Sequence, residues 1–427
     1  MTLDIMETKS KGIYTIKADG PWEKLGNLAE PIKNGTSARQ NFERRGFQVT
    51  RIETISKGIV DPERVGWVDL PTEDFKNYKL YDGDILFSHI NSLEKLGNCV
   101  IYEGVPENLY HGVNTLLIRV NQRVLDPGYL LYWLRSDYCK GYYLENARRA
   151  IGQASLNQRD IGEIPVFLPP LLVQKQISSK IKELMQDVER ARAACERQLE
   201  AAGALKAAHL RQVFDSEKVK KWGKKRLSEV CAYQSGIWGE EPDGSSQSQF
   251  ILRSNNIRDG KIVFDDVAVR EVERKYLASN ALISGDILVA TSSGSRDLVG
   301  KSAIFIPADE KTYLFSNFTM RLRAIPDLVD YFYLYFYLQS PQAKRLLGIM
   351  QDTTTGLRNL NRKEFLRQLI PLPSLKEQQK IAAELGERLV QVEKLYKATQ
   401  RQLEAINALP QAILRRAFEE EICRKCS

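Results

Sequence analysis

The sequence predicts an α+β protein built as two similar globular modules, each followed by one long helix. Three observations carry this. Shifting the chain by 204 positions lays Leu156–Phe214 on Leu360–Phe418 without a gap. Roughly 22 of about 59 overlaid positions are identical, and a period this long means a duplicated domain rather than a solenoid. Matching strand-like runs precede this stretch in both halves, and an apolar seam of helical spacing occupies most of each copy. A chain of 427 residues has room for two domains of about 200 residues each.

Apolar content of 43% and charged content of 27% are those of a globular protein with ample core. No run approaches 18 uninterrupted apolar residues, and Met1 to Ala18 lacks the apolar stretch of a signal peptide, so a cytoplasmic location is expected. The formal charge of +8 suits a polyanionic partner, because lysines and arginines facing phosphates release condensed counterions. Of six cysteines, Cys99, Cys139, Cys195 and Cys231 are scattered, as in reduced thiols. Cys423 and Cys426 have C-x-x-C spacing, but a zinc site needs four ligands and no second pair exists, so no metal is expected.

Along the chain, Met1 to Gly20 is polar and expected to be loosely ordered until it meets a partner. The first module begins at Trp22, where Leu25 and Leu28 match Leu227 and Val230. Thr50 to Gly58 and Leu252 to Gly260 read as a strand running into a glycine turn. The clearest strands are Gly83-Asp84-Ile85-Leu86-Phe87 and Gly285-Asp286-Ile287-Leu288-Val289, where a Gly-Asp turn feeds an apolar run and then a polar loop. Gly97 to Tyr102 and Gly300 to Phe305 are again strand-like, and the offset drifts from 202 to 204 through small loop insertions. Tyr129 to Leu134 and Tyr331 to Leu338 are short aromatic helices packed on the sheet. Gly152 to Asn157 and Gly356 to Asn361 are polar turns leading to a last strand.

The long helices follow. Ile177, Ile181, Leu184, Val188, Ala191, Cys195, Ala202 and Leu205 hold a four-three spacing, and Ile381, Leu385, Val392, Leu395, Ile406, Leu409 and Ile413 repeat it. Such a seam over four or five heptads calls for another helix beside it. Pro169-Pro170 marks one start, a capping box from Ser374 to Glu377 marks the other, and Pro410 is expected to kink the second helix near its end.

Signs of catalysis are scarce. There is no G-x-G-x-x-G or G-x-x-x-x-G-K-[ST] loop, and no Asn-Pro-Pro or Asp-Pro-Pro followed by an aromatic residue. Asp265-Asp266 with Glu273-Arg274-Lys275 offers carboxylates and a lysine, as a metal-dependent nuclease needs, yet the first copy has no counterpart. His89, His111 and His209 are the only histidines, scant material for acid–base or nucleophilic triads. The sequence reads as a binder.

Gly-Asp-Ile-Leu in each module, and Leu-Asn then Leu-Pro-x-Leu before each helix, closely resemble the specificity subunit of type I restriction-modification systems, HsdS. Leu168-Pro169-Pro170-Leu171 with Gln174, and Leu372-Pro373-Ser374-Leu375 with Glu377-Gln378, stand where that family begins its conserved helices. The likeness runs from about Trp22 to Phe418. It implies target-recognition domains at residues 1–168 (with an N-terminal tail) and 215–372, spacer helices at 169–214 and 373–418 forming an antiparallel coiled-coil pair, and a tail at 419–427. Each domain is then expected to read one half of a bipartite asymmetric site in double-stranded DNA. The resemblance further implies two methyltransferase subunits and the restriction/translocase subunits as partners, and no active site in this chain. S-adenosylmethionine, ATP and Mg belong to those partners, leaving this chain without a cofactor.

Candidate base-reading residues are His89, Asn91 and Ser92 after the first Gly-Asp-Ile-Leu, and Thr291, Ser292, Ser293, Ser295 and Arg296 after the second. Arg148, Arg149, Gln153, Thr353, Thr354 and Arg358 flank the later loop, and Asn255, Asn256 and Arg258 differ from their first-copy counterparts. Arginine to guanine and asparagine or glutamine to adenine are the natural major-groove pairs. Arg51 and Arg253 match between copies, which favours a structural or phosphate-facing role over base reading. Two rival readings remain at this point. One is the targeting module of a fused methyltransferase-nuclease, which needs catalytic segments in cis. The other is a two-headed helical scaffold bridging protein partners without DNA specificity, which predicts no steep salt dependence of DNA binding.

Overall fold

The computed structural model describes residues 22–30, 32–69, 75–113, 115–242, 248–293, 298–354 and 357–418; at residues 75, 293, 348–349, 351–354 and 357 only the backbone is described. Met1 to Gly20 and the Cys423 to Cys426 motif lie outside the described residues. The chain forms two compact units, Met1–Cys195 with Gln402–Ser427 and Glu196–Arg401. Each unit therefore holds one module and half of each long helix.

In the first unit, Lys33–Asn34, Leu116–Ile118, Ile85–Phe87 and Cys99–Ile101 form a four-stranded antiparallel sheet in that order. The Ile85–Phe87 strand reads as an unbroken apolar run because both its faces are covered. Ile85 and Phe87 join the core of the aromatic helix Pro127–Leu134, while Leu86 joins a second core with Ile55, Leu80, Val100, Leu109 and Leu117. The second unit repeats this within a six-stranded sheet. Ile287 and Val289 pack with Tyr333 and Leu334 of the helix Tyr331–Gln339, and Leu288 and Ala290 pack with Leu252 and Phe315.

The Gly-Asp turn before each of these strands has a double task. Gly83 and Gly285 take φ of +89° and +92°, a region that side chains with a Cβ rarely adopt. The buried carboxylate that follows is bidentate on an arginine, Asp84 on Arg119 at 2.7 and 2.6 Å and Asp286 on Arg323 at 2.7 Å twice. Each also accepts the backbone N–H that closes the turn, from Tyr81 and Ile283 respectively.

Two expectations need correction. Thr50 to Gly58 is not a strand: the strand is Phe47–Val49, and a 3-10 turn occupies Glu53–Ile55. The second copy likewise ends its strand at Leu252 before a turn over Ser254–Asn256, but a short strand, Ile257–Arg258, then runs into the Asp259-Gly260 turn as expected. The cause is a side-chain oxygen at matching positions, since Thr54 Oγ1 accepts from Arg51 N and Asn256 Oδ1 from Arg253 N, both at 2.8 Å. The polar turns at Gly152 and Gly356 also hold more structure than expected. Gln153–Ser155 and Leu357–Leu360 are strands, and each leads into a short helix whose N-cap is Asn157 or Asn361.

The long helices span Leu171–Phe214 and Leu375–Phe418, the second continuing through Pro410. In the first unit Ile177 and Ile181 share a core with Leu414, Ala417 and Phe418, while Val188 and Cys195 cluster with Ile406. Residue numbers rise on one helix as they fall on the other, so the halves are antiparallel. In the second unit Leu210 and Phe214 share a core with Ile381, Ala382 and Leu385. Each helix ends by planting a phenylalanine in aromatic rings: Phe418 against Tyr129 and Trp133, and Phe214 against Tyr333 and Tyr337.

Candidate nucleic-acid interface

In each unit the loop after Gly-Asp-Ile-Leu and the later loop come together as one small antiparallel sheet. In the first unit it comprises Arg148–Ala150, Gln153–Ser155 and Ile90–Asn91, with the second of these central. Arg148 lies across from Ser155, which lies across from Ile90, and Ala150 lies across from Gln153. Residues paired across antiparallel strands share a face, and alternation puts Gln153 on the face of Arg148, Ser155 and Ile90. The opposite face is anchored by the buried Ala154. Arg148–Ala150 is exposed throughout, and neither arginine forms an ion pair among the described residues; Arg149 Nη2 donates to the Leu144 carbonyl at 3.0 Å. Between the strands the turn is Ile151-Gly152, with Gly152 at φ +75° and Ile151 wholly exposed.

The other first-unit candidates sit at the root of this sheet. His89 is nearly buried, its Nδ1 is without a partner, and burial pulls its pKa down. Its carbonyl accepts from Leu156 N at 2.9 Å, which ties the sheet to the core. Asn91 Nδ2 donates to Ser88 Oγ at 3.1 Å while its Oδ1 accepts from Ser92 N at 2.9 Å, so these three residues hold the loop's shape.

The second unit repeats the arrangement with Ser292–Ser293, Leu357–Leu360 and Gln351–Thr354. Ser293 and Thr353 both pair with Arg358, Thr354 pairs with Leu357, and Ser292 pairs with Asn359. Ser295 and Arg296 lie outside the described residues. Arg362, which the sequence reading passed over, donates to Ser235 Oγ at 2.7 Å and lies 3.4 Å from the Oγ1 of the buried Thr291. Only its place one residue after the N-cap Asn361 marked it.

The remaining candidates belong elsewhere in each module. Arg253 is bound to Asp266 at 2.8 Å, Asn255 donates to the same carboxylate at 3.2 Å, and Arg258 pairs with Asp265 at 3.2 Å. Asn256 has no exposed surface, and its amide donates to the carbonyls of Val263 and Asp266. Arg51 pairs with Glu53, at 3.5 Å. The acidic pair Asp265-Asp266 is thus held by arginines, and Lys275 is held by Glu273 at 2.7 Å.

This geometry, twice over, meets a family with two copies of one domain. The sequence matches the type I restriction modification DNA specificity domain over residues 20–195 and 219–407. The chain belongs to that family. It is 30% identical over 403 residues to the putative type I restriction enzyme MjaX specificity subunit of Methanocaldococcus jannaschii, covering 88% of each chain. To the EcoKI specificity subunit of Escherichia coli K12 it is 26% identical over 274 residues, 62% of this chain and 58% of that one. Its fold matches a solved chain of a type I R-M system with a TM-score of 0.71 at 21% identity, covering 95% and 99% of the two chains. The HsdS subunit of Thermoanaerobacter tengcongensis matches at 0.56 and 20%, covering 95% and 98%. The protein is a DNA sequence-specificity subunit of a restriction-modification complex, acting with methyltransferase and restriction subunits. No helix among the described residues is long and apolar enough to cross a membrane.

Proposed function

We propose that the small sheet of each unit presents the side chains that read one half of a bipartite, asymmetric DNA site. The supporting observation is that the same three strands recur in both units while the residues they carry differ: Arg148, Arg149 and Gln153 in one, Ser292, Ser293, Thr353 and Arg358 in the other. Two frames of one design with unlike surfaces suit two unlike half-sites, and joining them in one chain makes the second contact effectively intramolecular. Arg148 and Gln153 have the donor sets for guanine and adenine edges in the major groove, and Arg149 and Arg358 suit guanine or phosphate. Arg51 and Arg253 are assigned to phosphates or to the frame, and Asn256 to the frame alone.

On this reading the chain carries no active centre. It works in the cytoplasm with two methyltransferase subunits and the restriction/translocase subunits, which bring S-adenosylmethionine, ATP and Mg. The target adenine must leave the base stack to be methylated, a cost met by the methyltransferase on DNA held by this chain. The test is to co-express the chain with its neighbouring methyltransferase subunit in a methylation-deficient host and map modified adenines. A bipartite asymmetric motif that disappears without this chain is the expected outcome. A soluble complex that leaves no motif would overturn the proposal.

A further inference from the structure

In the second unit a cavity of about 660 Å³ lies between the long helix at Gly203–Leu210 and the module, beside the helix Pro341–Ile349. Four cationic side chains line it, Lys206, Lys301, Lys344 and Arg345, against a single carboxylate, Asp259. Arg345 also reaches Asp215, at 3.6 Å. Lys206 Nζ donates to the backbone carbonyl of Asp259 at 3.4 Å. Burial lowers the pKa of Lys344, and the neighbouring charges of Lys206 and Lys301 lower it further.

The first unit shows what such a place looks like when its charge is compensated. Ser136 and Ser340 cap matching helices, and Gly97 and Gly300 hold matching left-handed turns against Tyr143 and Leu347. On this register Lys344 corresponds to Lys140, Lys301 to Asn98, Arg345 to Gly141 and Pro341 to Asp137. Lys206 of the helix corresponds to Pro410. Lys140 bonds Gln411 and lies 3.8 Å from Asp137, whose carboxylate also binds Arg415 at 2.7 Å. The second unit keeps that lysine, loses the carboxylate to proline, and gathers two further lysines and an arginine. Surface lysines ordinarily sit apart in water; like charges gathered into a concavity repel one another unless an anion joins them.

We propose that this cavity binds a phosphorylated anion, held by Lys206, Lys301 and Lys344. Phosphate suits three ammonium groups because its oxygens accept several charge-assisted hydrogen bonds at once. The phosphoryl group can come from a free di- or triphosphate or from the DNA backbone. The site is independent of the base-reading proposal and lies on other elements.

The test uses the full-length chain and inorganic pyrophosphate, followed by calorimetry at low salt. Saturable binding is expected, weakened at least about tenfold when Lys301→Asn and Lys344→Gln remove two of the contacts. Pro341→Asp, which restores the first unit's carboxylate and removes no lysine, is expected to weaken it too, and Lys140→Gln to leave it unchanged. A thermal melt of each variant separates lost binding from lost folding. Absence of saturable binding, or binding indifferent to both the double variant and Pro341→Asp, would overturn the site. Duplex DNA titrations then distinguish the source. A shallower salt slope in the double variant identifies a DNA phosphate, while an unchanged slope with pyrophosphate binding lost identifies a free anion. The methylation map bears on neither result.

Discussion

The two units solve their internal problems alike and their external ones differently. Inside, the correspondences are nearly atom for atom. Gln174 accepts from Asp126 N and donates to the Val124 and Pro169 carbonyls; Gln378 does the same with Asp330, Leu328 and Pro373. Tyr129 donates its hydroxyl to the Phe167 carbonyl, and Tyr333 to that of Pro371. Outside, the small sheets share strand order and little else. Repetition in this chain therefore marks what must be buried and satisfied, because an unpaired group in a core is costly wherever it occurs. Divergence marks what faces outward.

The largest break in this parallel should come from the shared ion pair. Asp84→Ala or Asp286→Ala strands an arginine and is expected to cost the affected unit about 3 kcal/mol. That is the low end for a broken buried pair, since Arg119 and Arg323 keep side-chain exposures of 24% and 34%. Denaturant unfolding should show equal losses for the two substitutions. Markedly unequal losses would mean that the units do not share a frame.

Acid should separate the units instead. Strand pairing aligns Leu109 with Tyr313, which sets His111 opposite the role of Phe315. His111 is fully buried, donates Nε2–H to the Thr115 carbonyl at 2.9 Å, and leaves Nδ1 without a partner. Burial lowers its pKa from 6.5 to about 4. The unfolded chain therefore binds the proton more readily, so stability is full above pH 6.5 and declines as pH falls toward 4. The loss approaches roughly 3 kcal/mol at the lower limit. Hydrogen-exchange protection, taken relative to the intrinsic rate at each pH, should fall between pH 7 and 5 around Leu109–Tyr110 and not around Tyr313–Phe315, and His111→Gln should remove the difference. An equal fall in both segments would place the acid sensitivity elsewhere.

Specificity should divide along the same line. If the small sheets read DNA, Arg148→Ala with Arg149→Ala relaxes only one half of the methylated motif and Arg358→Ala only the other. Each lost base contact is worth about 1–3 kcal/mol. A substitution that degrades both halves equally would point to phosphate contacts.

Much of this frame is legible in the sequence. The ungapped overlay located the helices, and Gly-Asp before an apolar run located the central strands, because a left-handed glycine and a buried carboxylate leave little freedom in sequence. The small sheets were half legible. Their residues read as two separate polar loops, but pairing between segments some 60 residues apart is a tertiary fact that local propensity does not carry. Asn256 shows the opposite failure. Its difference from Thr54 makes it look like a base reader, and the sequence alone does not reveal that the Val263 and Asp266 carbonyls consume its amide, whereas the match of Arg253 with Arg51 already favours a structural or phosphate-facing role. Ile151 is missed for a related reason, since an apolar residue beside a turn glycine reads by default as core.

Ile151 gives the smallest expected effect and the sharpest discrimination. It stands wholly exposed at the tip of the first unit's hairpin, flanked by Arg148, Arg149 and Gln153. Because it is not buried, Ile151→Ala should change folding stability by less than about 0.5 kcal/mol. If the hairpin enters a groove, the side chain meets thymine methyl groups or the edge of a base step, and its loss costs about 1 kcal/mol of DNA binding. An apolar contact displaces no counterion, so the salt slope should stay fixed for Ile151→Ala and fall by about one for Arg148→Ala if Arg148 meets a phosphate. Anisotropy titrations of duplex DNA across a range of salt give both quantities. Unchanged affinity for Ile151→Ala would leave the hairpin tip outside the DNA contact and shift the reading role toward the strand residues behind it.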